Sequence, residues 1–195
     1  MLNFTKTGSG AEVADLPTFN TLEVRLTFEQ GGGRGLAGRL RNRLNPADPD
    51  LWVIAFSDGM PVNRVDPKVH QTALDGALRH LGDAKGDGQE VVVLDATRLT
   101  GNLADIDAFA FVASISGEDG FARVAGVVAE ISDTSGGRPE FLANVRFDIT
   151  GTHSSALLAV VKRDADGKWT FTKKPEYGHA GSWQQLARLA TAHVR

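Results

Sequence analysis

A β-sandwich of two antiparallel sheets with one helix packed at its C-terminal end is the fold class that the sequence predicts. Three observations carry this expectation. Apolar residues recur at every second position, or in short unbroken runs, through most of the chain; glycine, proline and aspartate punctuate those runs; and helical spacing is strong only near the end. Strands and helices do not alternate in the pattern that would build a parallel sheet.

The first clear strand is Asn20 to Glu29. Leu22, Val24, Leu26 and Phe28 fall on one face and Glu23, Arg25 and Thr27 on the other, the period of a strand covering a core. GGGRGLAGRLRNRLNPADPD then breaks the pattern and reads as a Gly/Arg-rich insert at about residues 31–45. It carries Arg34, Arg39, Arg41 and Arg43, and its Leu36, Leu40 and Leu44 have the spacing of one or two helical turns. Four arginines without interleaved aromatic rings make a poor nucleic-acid platform, so the insert reads as solvated surface.

LWVIAF, residues 51–56, is continuously apolar between Pro49 and Ser57-Asp58-Gly59, as expected of a central strand. A Pro-containing link and a polar stretch near His70 lead to GDAKGDGQE, residues 82–90, and directly into EVVVLDA. Further strands are expected in IDAFAFVASI, FARVAGVVAEI, FLANVRFDI and ALLAVVKRD. In FLANVRFDI the alternation points Phe141, Ala143, Val145, Phe147 and Ile149 inward. ALLAVVK and KWTFT flank RDADG and read as a hairpin. At the end of the chain Ser182 is placed to cap a helix whose apolar stripe is Trp183, Leu186, Ala187 and Ala190.

The 195 residues fit one domain, 1–195, able to bury roughly 70% of its unfolded surface. A hydrophobic fraction of 42% and a charged fraction of 23% describe an ordinary globular protein. No apolar run reaches membrane-spanning length, and MLNFTKTGSGAEVADL lacks the apolar segment of a signal peptide, so a cytoplasmic protein without membrane insertion is expected. The net charge of -3 supplies no global attraction to nucleic acid. With no cysteine, thiolate zinc sites and cysteine nucleophiles are excluded.

Catalytic patterns are equally sparse. His70, His80, His153, His179 and His193 are scattered without an HExxH pattern, and GGGRG lacks the lysine of a phosphate-binding loop. His80, alone near the acidic loop, reads as a hydrogen-bonded structural residue. Asp105 and Asp107 read as solvated, and no enzyme is expected.

The 82–90 loop holds the one concentration of oxygen ligands. Asp83, Asp87, Gln89 and Glu90 stand among glycines that let a short loop turn its oxygens inward, as a hard cation such as calcium requires. The same composition is that of a tight turn. Asp48 and Asp50, just ahead of LWVIAF, together with Asp66 and Asp75, could converge on it. Asp164 and Asp166 in RDADGKW lack the later glutamate of an EF-hand and suit a hairpin instead.

The order of these motifs resembles the TerD domain family of bacterial tellurium-resistance and stress-response proteins. In that family DLDAS leads into an apolar strand, and an S-x-D-G-x-V-x-H-x-G-D segment precedes a loop ending GDDE and a strand of the form x-I-x-V-D-L. Here DLWVIAF (50–56), LDGALRHLGD (74–83) and AKGDGQEVVVLDA (84–96) are similar to these pieces. The resemblance continues through FARVAGVVAEISD, FDIT, ALLAVVKRDADGKWTF and GSWQQLARLA, over about residues 20–191. It implies a noncatalytic calcium-binding or scaffold module in a stress or tellurite response, with protein partners. The implied calcium ligands are Asp50, Asp83 and Glu90, with Asp87 and Gln89 beside them in the loop. The chain departs from the pattern at Trp52, Gly88 and Gln89, where the family has acids, and Gln71 and Thr72 stand in for an asparagine pair. Loss of those charges weakens a calcium site, and the alternative is a metal-free protein-interaction module of the same fold, using the Arg34 to Arg43 insert or the Gly-rich loops.

Overall fold

The computed structural model describes residues 1–7, 10–31, 47–84, 89–149 and 151–195, with the backbone alone at 30, 83 and 84. The strands are β1 (Thr5–Lys6), β2 (Glu12–Asp15), β3 (Thr21–Gln30), β4 (Pro49–Ser57), β5 (Met60–Val65), β6 (Thr72–Ala73), β7 (Leu78–Ala84), β8 (Gln89–Asp95), β9 (Ala108–Ile115), β10 (Val124–Asp133), β11 (Glu140–Phe147), β12 (Ser155–Arg163) and β13 (Trp169–Gly178). Among the described residues one α-helix, α1 (Trp183–Val194), follows. A seven-stranded sheet runs β1-β2-β13-β12-β9-β4-β5 and a six-stranded sheet β11-β10-β3-β8-β7-β6. Every ladder is antiparallel, as the sandwich expectation requires.

Two apolar layers explain two kinds of strand sequence. β3 covers only the space between the sheets, so its alternation is strict: Leu22, Val24, Leu26 and Phe28 are buried there. β9 and β12 have cover on both faces and are continuously apolar over residues 108–113 and 156–161. Phe109, Phe111, Ala156 and Leu158 fill the inter-sheet core, while Ala110, Val112, Leu157 and Val160 lie beneath α1 with Ile54 and Phe56 of β4.

The helix forms where a capping box starts it. Gln185 N–H donates to Ser182 Oγ at 3.4 Å, and Gln185 Oε1 accepts from Ser182 N–H at 3.1 Å. Leu186, Ala187, Ala190 and Val194 form its buried face; covering a Leu or Val side chain contributes roughly 1.5–3 kcal/mol.

Two strand readings meet particular outcomes. The RDADG segment is a hairpin turn: Asp164 Oδ1 accepts from Asp166 N–H (3.0 Å) and Lys168 N–H (2.8 Å), and Gly167 supplies a positive φ of 81°. In β11 a register shift opposite Ile131/Ser132 turns Phe141 outward, 45% exposed, and puts Leu142 in the core; Ala143, Val145, Phe147 and Ile149 are buried as expected. The Arg34 to Arg43 segment and its three leucines lie outside the described residues. Among the described residues no helix is long and apolar enough to cross a membrane.

For the candidate site three placements matter. β4 lies between β9 and β5 in one sheet, and β8 between β3 and β7 in the other. The edge strand β5 also approaches β6 and β7, so the two sheets close on each other at this side.

Candidate functional site at the closed edge of the sandwich

Strand parity decides where each acidic residue points. In β4 the odd-numbered Leu51, Val53 and Ala55 face the inter-sheet core, whereas Ile54 and Phe56 face α1. Asp50 belongs to the even set, with an uninterrupted register against β9, and therefore lies on the outer face of its sheet. In β8, Val92 and Leu94 are core residues, and Glu90 shares their parity; it is 3% exposed and points between the sheets. Gln89, its neighbour, takes the opposite face.

Each of the two carboxylates meets a basic group of the same chain. Lys68 Nζ lies 2.7 Å from Asp50 Oδ1 and 2.8 Å from Oδ2. Glu90 Oε2 lies 2.8 Å from His80 Nε2, and both side chains are buried. His80 Nδ1 accepts from Gly82 N–H at 3.1 Å, which leaves the ring proton on Nε2, facing Glu90. The Nε2–H direction falls off the line to the carboxylate, so this is a close polar contact rather than a well-aligned hydrogen bond.

The lysine is positioned by Asp66. This buried carboxylate accepts from Val69 N–H (2.7 Å), Lys68 N–H (3.0 Å) and His70 Nδ1–H (3.0 Å), while Asp66 N–H donates to the His70 carbonyl. Burial alone would push the Asp66 carboxyl upward; the donors from Val69, Lys68 and His70 together outweigh it and hold the group below its ordinary value. Gln71 continues the bridge. Its Nε2 donates to the Pro67 carbonyl at 2.7 Å, and its carbonyl accepts from His80 N–H at 2.8 Å. Residues 66–71 thus connect Asp50 on one sheet to His80 on the other by the chain's own groups.

These facts correct the calcium expectation. Asp50, Gln89 and Glu90 do not converge: they occupy different sheets or opposite faces, and both acids have basic neighbours. Asp87 lies outside the described residues, as does the side chain of Asp83. Among the described residues no group of three or more His, Cys, Asp or Glu side chains is arranged to hold a metal ion. Trp52 offers no oxygen; its Nε1–H donates to Ser114 Oγ at 2.9 Å on the outer face beside α1. The described residues do not fit a calcium site.

Several contributors escaped sequence reasoning. Asp66, expected among the acids converging on a cation, instead organises a turn, and the Asp-Pro pair was the available signal. Lys68 and Gln71 carried no motif of their own. Glu118 and Asp119, in the turn after β9, share a cleft of about 440 Å³ with Asp48, Lys68 and Arg123; their signal was the SGEDG turn.

No family model matches the chain, and no curated protein matches it. Among solved structures it is similar to a protein of unknown function, SAV2460, with a TM-score of 0.62 and 19% identity, covering 91% of this chain and 98% of that one. It is also similar to SCO6318, a homologue of the telluride resistance protein TerD from Streptomyces coelicolor A3(2), with a TM-score of 0.61 and 16% identity, covering 87% and 96%. At these identities the likeness establishes the fold: the chain is a TerD-like β-sandwich.

Proposed function

We propose that this chain is a single noncatalytic protein-interaction module of TerD-like fold that works without a bound metal. The observation that carries the reading is that both carboxylates at the closed edge are engaged within the chain, Asp50 by the Lys68 ammonium and Glu90 by close contact with the His80 ring. A calcium ion could tie such loops together; here the Asp66 to Gln71 segment makes the connection. Likeness to a homologue of a telluride resistance protein supports a bacterial stress or tellurite-response setting in the cytoplasm.

The test is capture of partners from a lysate of the source cells on the immobilised protein, once in EDTA and once in calcium. The module reading expects the same proteins to be retained in both. Retention only in calcium, or none in EDTA, contradicts it.

A further inference from the structure

Among the described residues β1, β5, β6 and β11 bound the two sheets, and three of these edges are blunted. β1 and β6 are each 2 residues long. β5 carries Pro61 and a register shift, its Asn63 Oδ1 takes the Arg64 N–H at 2.9 Å, and it closes on β6 and β7. β11 differs: it is 8 residues long, holds neither proline nor lysine, and ends the six-stranded sheet on the side away from β6.

The ladders fix where its backbone groups point. Asp95 N–H donates to the Ala77 carbonyl, so the odd residues of β8 bond toward β7 and the even ones toward β3. Carried through β3 and β10 by their registers, this alternation turns Ala143, Val145 and Phe147 toward β10 and leaves the N–H and C=O of Asn144 and Arg146 facing outward. The flanking even residues agree. The Leu142 carbonyl accepts from Leu2 N–H at 2.7 Å, and the Asp148 carbonyl accepts from the Tyr177 hydroxyl at 2.7 Å, so the chain's own groups close both ends of the edge. Among the described residues nothing bonds the backbone of Asn144 or Arg146 between them. A row of free N–H and C=O groups on a long edge is a template for another strand.

We propose that β11 pairs antiparallel with β11 of a second copy of this chain, about a two-fold axis at Val145. The closed ends set the register: the open stretch is 143–147, and Val145 is its centre. Asn144 then lies opposite Arg146 of the second copy and exchanges both backbone bonds with it, and the symmetry repeats this on the other side of the axis, so every free group is used. The side chains accept the same register. On the outer face Asn144 meets Arg146, whose guanidinium Glu29 already holds at 2.7 Å, so no like charges stand opposite one another. On the inner face Ala143 meets Phe147, small against large, and Val145 meets its own copy. The edge is therefore its own complement, as an isologous contact requires. Self-pairing goes beyond the interaction-module reading and does not depend on it.

The test is sedimentation velocity of the full chain from micromolar to millimolar concentration, with amide exchange read residue by residue by NMR. A monomer–dimer equilibrium is expected, and with rising concentration the Asn144 and Arg146 amides should gain protection while the Val145 amide, already bonded to β10, stays unchanged. Asn144→Pro removes an outward N–H and no ladder bond within the chain, and should weaken the dimer by about tenfold or more. Charge variants report the register. Asn144→Arg sets arginine against Arg146 of the second copy and should weaken the dimer about fivefold, whereas Asn144→Glu should tighten it by a similar factor. Within one chain Asn144 faces Glu130 across the ladder, so the effect of these two variants on thermal unfolding of the monomer has the opposite sign and cannot mimic the result. A monomer at every concentration, a dimer indifferent to Asn144→Pro, charge variants that shift association the same way, or protection confined to another strand overturns the proposal. So does an added strand-forming peptide that protects Asn144 and Arg146 while the chain stays monomeric, which assigns the edge to a different protein. None of these outcomes bears on calcium-independent capture of partners, so the module reading stands or falls separately.

Discussion

His80 and Glu90 face each other across the β7–β8 ladder, Nε2 to Oε2 at 2.8 Å, in a part of the sandwich where neither side chain reaches solvent. Because His80 Nδ1 accepts the Gly82 N–H, the ring is locked in orientation and its Nε2 proton is left in close but poorly aligned contact with the Glu90 carboxylate. Removing that carboxylate takes away the polar neighbour of a buried N–H group. Glu90→Leu should therefore cost about 2–4 kcal/mol, whereas Glu90→Gln, which retains an oxygen, should cost about 1 kcal/mol. Urea unfolding followed by fluorescence measures both; equal losses would show that the contact with His80 contributes nothing specific.

The Asp66 turn makes a pH-dependent prediction. Its folded carboxyl lies below the ordinary 3.8, so its stabilising contribution is complete above that value and is lost as pH falls through the folded value. Asp66→Asn should be less stable than the parent by about 1–3 kcal/mol at neutral pH, because the charged acceptor of three donors is gone. The gap should narrow below pH 3.8. Asp95, also held below its ordinary value, is common to both proteins, so the difference isolates Asp66. A gap independent of pH would refute the assignment.

A third prediction concerns the turn after β9. Gly120 has φ of +51°, and a Cβ there would meet the His153 carbonyl oxygen and lie 2.6 Å from that of Thr152. Backbone cannot retreat as a flexible side chain can. Gly120→Ala should cost about 3 kcal/mol or more, lowering the melting temperature by about 6–12 °C. Gly136→Ala, where the added carbon meets open space, should be within about 0.5 kcal/mol of the parent. Calorimetric melting compares the two.

How much of this was legible in the sequence follows from the range of each cause. Alternation in residues 22–28 reports a local fact, one face on a core, and the structure bears it out. The unbroken apolar runs of β9 and β12 also signalled burial, and their cause, α1 on the outer face, was half visible in the helix stripe. Phe141 turned outward because one residue slipped in the ladder with β10, a property of the pair rather than of β11. The metal expectation failed for a similar reason. Asp50 and Glu90 each precede an apolar run, but their directions depend on which sheet each strand joins and which face that sheet turns inward. Lys68 reaches Asp50 from eighteen residues away through a turn held by Asp66, and neither residue had a spacing that marked the other.

Calorimetric titration of the full chain with calcium, paired with thermal unfolding in EDTA and in millimolar calcium, bears most directly on the closed edge. With Lys68 on Asp50 and His80 on Glu90, the titration should give only heats of dilution, and the melting temperature should agree within about 1 °C in the two buffers. A saturable heat accompanied by a rise of several degrees in calcium would contradict the account.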